Sequence, residues 1–162
     1  MVFTFNNKNL NVWLAMLKAV AKSGFVLAEN GVLFQDFIAS YKNTSHLQYA
    51  GNVQGDFIYT FVKSKNTVIE DYSGLTIENL IDETIDEVIV RMFDNPNSVN
   101  ELSSEVLYKE LFVSLASRLM KFIQFKEKNH ESLDDVYFEE QSIDYHLGKK
   151  LLYENQVWKK RG

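Results

Sequence analysis

The apolar pattern of this chain switches between strand and helix periods up to about residue 65 and is helical beyond it, which points to a small strand-containing part followed by long helices. Val2-Phe-Thr-Phe5 reads as a short strand ending at Asn6-Asn7. Trp13, Leu14, Met16, Leu17, Val20 and Ala21 then fall at spacings of three and four, which places them on one broad helical face. Asn9 or Asn11 can cap the start of that helix, and Ser23-Gly24 stops it. A strand is predicted near Phe25–Phe34, with Asn30-Gly31 interrupting it as a turn or bulge. In Asp56–Lys63, Phe57, Tyr59 and Phe61 alternate with Ile58, Thr60 and Val62. Both sets can pack, so burial on both faces is expected. Asp36 to Gly55 has the Ser, Asn and Gly content of a long connection, and connections of that length are often functional.

Residues 64–74 form the expected boundary. Beyond it, Ile77, Leu80, Ile81, Ile85, Val88, Ile89 and Met92 repeat with a helical period, and the polar positions between them are acidic. Asn95-Pro96 should end this helix. Ser98-Val-Asn-Glu101 has the spacing of a capping box. A second helix is predicted from about Ser104 to Lys126, with Leu107, Leu111, Leu115, Leu119, Phe122 and Ile123 facing inward. Phe112 and Met120 widen that face, so this helix should lie centrally. After His130 the pattern weakens, and the segment Leu151 to Trp158 fits either a short hairpin or a last helix. There is no internal repeat. The expected fold class is α+β: a small mixed or antiparallel sheet with one covering helix over residues 1–67, and a mainly helical module over 68–162.

Composition narrows the chemistry. With 46% hydrophobic residues the chain of 162 can bury a core. No apolar run approaches the roughly 20 residues needed to span a bilayer, and the N-terminus lacks the basic start of a signal peptide. Cysteine is absent, which excludes disulfides and thiolate chemistry and fits a cytoplasmic protein. Residues 1–69 carry six cations against three acids, a net of +3; residues 70–162 carry eleven against nineteen, a net of −8. Phosphate neutralisation dominates nucleic-acid affinity, so the second half is a poor candidate for a broad DNA-binding face. His46, His130 and His146 are too scattered for a HExxH-type metal site. Asp134-Asp135 and Glu139-Glu140 lack calcium-loop spacing. No catalytic or metal-binding residue is assigned.

The order of these segments carries a resemblance. Val2-Phe-Thr-Phe-Asn-Asn-Lys-Asn-Leu-Asn-Val-Trp13 pairs an aromatic strand and a polar turn with an early tryptophan in the helix. Leu17-Lys-Ala-Val-Ala-Lys-Ser-Gly-Phe25 follows, then Lys42-Asn-Thr-Ser-His46 and Gly55-Asp-Phe-Ile-Tyr-Thr-Phe-Val-Lys63. Together these resemble the C-terminal portion of adenine-specific DNA methyltransferases, over about 40% of the chain. The resemblance implies a fragment of a Rossmann-like methyltransferase sheet, in β-α-β-β order, followed by the helical module. It implies a target-base pocket drawing on Phe5, Asn6 and Asn7 at the mouth of the first strand. Phe34, Phe37 or Tyr41 would supply an aromatic platform, with Ser45 and His46 in the loop before the last strand. A base must leave the stack before its amine can be methylated, and an aromatic surface would receive it.

Two family features are missing. There is no FxGxG-type loop for S-adenosylmethionine and no DPPY- or NPPY-like tetrapeptide. The expected function is therefore a C-terminal fragment or subunit, inactive alone, that completes the sheet and the target-base side of the pocket. S-Adenosylmethionine and DNA are implied only for the complete enzyme, of a restriction-modification or related defence system. A missing N-terminal half or a second copy pairing along the first strand is the expected partner, with no membrane involved. The alternative function is a non-catalytic helical interaction or adaptor protein of phage or plasmid origin. A winged-helix regulator using a Tyr153–Trp158 hairpin is a third reading, which the negative charge of that half disfavours.

Overall fold

The structure, a computed structural model, describes residues 1–5, 9–36, 55–63, 69–94, 100–139 and 142–162. Its elements run β1 (Val2–Phe5), α1 (Leu10–Lys22), β2 (Phe25–Asp36), β3 (Gly55–Lys63), α2 (Ile77–Phe93), β4 (Glu101–Ser103), α3 (Ser104–Lys128), α4 (Ser142–Lys150), β5 (Leu151–Glu154) and β6 (Val157–Lys160). The architecture is α+β with two small antiparallel sheets, ordered β1-β3-β2 and β4-β6-β5.

The first sheet follows the expected order. Asn9 caps α1, its side chain accepting from the backbone N–H groups of Asn11 and Val12. Gly24 leaves the helix at φ +76°, a conformation that costs glycine nothing. β1 and β2 each run antiparallel to β3, so they are parallel to one another on either side of it, and α1 is their crossover. The ladder between β2 and β3 shifts register between Leu27 and Val32. Asn30 sits there at φ +51°, and the Asn30-Gly31 interruption is a bulge.

Burial of β3 is one-sided, not two-sided. Phe57, Tyr59 and Phe61 are buried, but Ile58 and Thr60 are half-buried and Val62 is 46% exposed. Val2 and Leu33, which share that outer face by register, are 64% and 58% exposed. The aromatic set wins the core because each ring buries far more area than a β-branched side chain.

The second half holds a sheet as well as helices. Glu101 lies in β4 and not in a capping box; Ser103 caps α3, accepting from the Val106 N–H. Ser98, Asn95 and Pro96 lie outside the described residues. The ambiguous segment from Leu151 is a hairpin, β5 and β6 joined by Asn155-Gln156 at φ +52° and +63°, the signs of a type I′ turn. α3 touches α1, α2, β2, β4 and β6, so it is central as expected. A single apolar core runs from Trp13 and Phe61 through Leu115 and Leu119 to Leu151 and Trp158. Segment 131–139 is stitched to α1 by polar bonds: Asn11 both donates to the Phe138 carbonyl (2.9 Å) and accepts its N–H (2.7 Å). Lys18 donates to the Leu133 carbonyl at 2.9 Å.

Candidate functional site

At one end of the first sheet the register sets Phe5, Phe57 and Phe34 side by side, one from each strand. Phe57 is buried; Phe5 and Phe34 are half-buried and pack against the core. Side chains two residues apart share a face, so this row continues the buried face of Tyr59 and Phe61. Phe34 meets Phe57 edge-on, centroids 5.0 Å apart, and Phe57 meets Phe112 of α3 the same way at 5.9 Å. The Lys109 ammonium lies 5.0 Å from the centroid of Phe34. Thus an aromatic row with a buried centre and half-buried ends finishes under a cation from the central helix.

A second tier holds that row in place. The Trp13 indole N–H donates to the Tyr59 hydroxyl at 2.6 Å, both side chains being buried. Trp13 also lies 6.1 Å from Phe112 and 6.3 Å from Phe138, ring to ring. Burial pushes the Tyr59 phenol well above its ordinary range, against a smaller opposite effect of the Trp13 bond. The hydroxyl therefore stays protonated at neutral pH and acts as an anchor, not as a base.

Of the residues named from sequence, the structure brings Phe5 and Phe34 together on either side of Phe57. Asn6, Asn7, Phe37, Tyr41, Ser45 and His46 lie outside the described residues. Their anchors are defined: Phe5 ends β1, and Asp36 pairs with Gly55 at the same end of the sheet. Lys109 and Phe112 were not legible as site residues, because nothing in a helical period says which sheet the helix will cross.

A second polar constellation joins α2 to α4. His146, 5% exposed, places Nε2 2.6 Å from Glu78 and Nδ1 3.1 Å from Asp82. Lys150, one turn on, pairs with Asp82 at 3.4 Å and with Asp86. The spacing 78, 82, 86 against 146, 150 makes a ladder of helix-surface neighbours. Burial would raise the Asp82 carboxyl, but bonds from His146 and Lys150 outweigh it and hold it below the ordinary value. Lys150 is likewise held above its ordinary value by Asp86 and Asp82, despite its burial. The imidazole separates the two carboxylates, and among the described residues no group of three or more acidic or histidine side chains is placed to hold a metal ion. No family model, curated protein or solved structure matches this chain.

Proposed function

We propose that this chain supplies the C-terminal part of a DNA adenine methyltransferase, closing a Rossmann-like sheet and furnishing the target-base side of its pocket. The observation that carries the reading is the direct pairing of β1 with β3, the two strands on which the resemblance rests. Had they belonged to different sheets, the resemblance would have lost this support. The crossover α1 between two strands that flank an antiparallel third supports it further. So does the row Phe5, Phe57, Phe34, in which the half-buried rings of Phe5 and Phe34 flank the buried Phe57 and could line one side of a pocket for a flipped adenine, with Lys109 beside Phe34.

The chain alone transfers no methyl group, because it lacks the donor loop and the NPPY-like motif that would hold the two reactants. When the complete enzyme is assembled, S-adenosylmethionine supplies the methyl group. Residues of this chain would orient the acceptor base.

The test is reconstitution. The chain is combined with a partner that carries a glycine-rich donor loop and an NPPY-like motif, sought in the reading frame upstream of its own. Transfer of labelled methyl from S-adenosylmethionine to duplex DNA is then measured. Neither piece should be active alone, and the mixture should be. Phe34→Ala should lower the rate at least about tenfold, as expected when a positioning surface is lost. Failure of the mixture to transfer methyl, with both pieces folded, sinks the proposal. Capture of a partner without these motifs would favour the adaptor reading instead.

A further inference from the structure

His146 is buried at the seam between α2 and α4, and both of its ring nitrogens are engaged. α4 lays Ile143, Leu147 and, just past its end, Leu151 into the core. His146 shares that face by helical spacing. Its partners stand one turn apart on α2: Nε2 meets Glu78 at 2.6 Å and Nδ1 meets Asp82 at 3.1 Å. A carboxylate oxygen only accepts. A neutral imidazole has one N–H and one bare nitrogen, so one of the two contacts would set lone pair against lone pair. The imidazolium has two N–H groups and satisfies both. Bonds to a charged group are the stronger class, and a buried polar atom left without its partner loses hydration for nothing. The ring cannot reach water without leaving the core, whereas the Glu78 and Asp82 side chains are 43% and 41% exposed. The proton on the ring therefore decides whether both bonds stand.

The other charged and titratable groups around this seam come from four elements. On α4, Lys150 pairs with Asp82 at 3.4 Å and with Asp86. Asp144, its carboxyl raised by burial, accepts from the Tyr108 hydroxyl of α3. Lys149 lies over the ring of Tyr145, which meets the His146 ring edge-on at 5.5 Å. On segment 131–139, Tyr137 feels the charge of Glu139 first and that of Glu78 less, and both raise its phenol. Arg161, just past β6, donates to the Gly148 carbonyl. Of these side-chain types, imidazole is the one whose ordinary charge change falls between about pH 5 and 8.

We propose that His146 is a proton-operated latch: as the imidazolium it ties α4 to α2 through Glu78 and Asp82, and on losing one proton it gives up one of these bonds and loosens α4. The direction follows from the bonds. The docked helix holds the proton, so docking is tighter on the acid side of the histidine range and weakens as pH rises through it. When the proton leaves, the carboxylate facing the bare nitrogen turns to solvent, which its exposure permits. The effect reaches the second sheet, because α4 passes straight into β5 and Leu151 is buried with Ile143 and Leu147. The latch does not rest on the methyltransferase reading, which strands of the other sheet carry.

The test is amide hydrogen exchange of the full chain from about pH 5 to 8, corrected for the intrinsic pH dependence of exchange. Protection of α4 should fall about tenfold over that span, the scale of one hydrogen bond to a charged group, while α3 keeps its protection. Nitrogen shifts of the labelled His146 ring should show N–H at both positions at the acid end and at one position at the alkaline end. Glu78→Gln with Asp82→Asn supplies side-chain amides that donate to or accept from either ring nitrogen, and Lys150 keeps Asp86. This pair should leave α4 docked and flatten its response. Lys150→Gln and Asp144→Asn, which change other charges on α4, should each leave the response in place. His146→Gln should abolish it; if that variant fails to fold in a circular-dichroism melt, the Glu78/Asp82 pair decides alone. A flat wild-type profile, an undiminished response in the Glu78/Asp82 pair, or its loss in Lys150→Gln or Asp144→Asn overturns the proposal. So does a His146 ring with one bare nitrogen at the acid end.

Discussion

Gly31 shows how one small residue fixes the shape of the first sheet. It does not need a left-handed backbone. What it needs is the absence of a side chain: a Cβ there would stand 2.6 Å from the Ala28 carbonyl oxygen and 2.7 Å from that of Thr60. Both obstacles are backbone, which cannot swing aside. Gly31→Ala should therefore push β2 off β3 at the bulge and cost about 1–3 kcal/mol, the range for overpacking. Urea denaturation followed by circular dichroism measures it, and a change under about 0.5 kcal/mol, typical of a surface site, would show that the bulge relaxes freely. The sequence showed that Asn30-Gly31 breaks the strand. The reason it must be glycine was not visible, since the obstructing oxygen of Thr60 lies on a strand nearly thirty positions away.

The α2–α4 ladder is an element-scale device, and its pH response follows from its carboxylate and its lysine. Asp82 is held below the ordinary carboxylate value, so its contribution is complete above that value and is lost as pH falls through the lowered one. Lys150 is held above its ordinary value, so its contribution is complete below that value and is lost as pH rises through the raised one. Neither of these two groups changes charge around neutrality. Acid should therefore loosen α4 below about pH 4, close to the ordinary carboxylate value. Trp158 fluorescence, reporting the adjoining sheet, should change there in wild type, and Asp82→Asn should flatten the acid limb. An identical acid profile in the variant would show that Asp82 does not hold α4. The helices themselves were legible from their period. Their pairing was not: Glu78, Asp82 and Asp86 read as a solvated acidic face until His146 and Lys150 are seen opposite them.

At the scale of the whole molecule, the strand-rich and helix-rich halves meet in one core. The open side of the first sheet, with Val2, Leu33 and Val62 exposed, was read from sequence as a second buried face. Alternation cannot say how many faces are covered, because the covering layer is encoded elsewhere. Among the described residues β1 is an edge strand, paired only with β3. Together these features predict that β1 takes another strand along its outer edge, from a second copy or from a partner chain. Light scattering at tens of micromolar, roughly where weak dimers form, should show a dimer of the isolated chain. A strictly monomeric species would remove the second copy as a partner.

The pairing of Asp36 with Gly55 means that the chain leaves and re-enters the sheet through adjacent rungs. Excising residues 37–54 and bridging the gap with Asn-Gly should therefore leave a contiguous hairpin of ordinary geometry. Shortening a loop changes closure entropy only slowly with length, so thermal stability should fall little or rise. Such a deletion would separate what this scaffold needs to fold from what the segment holding Phe37, Tyr41, Ser45 and His46 was retained to do.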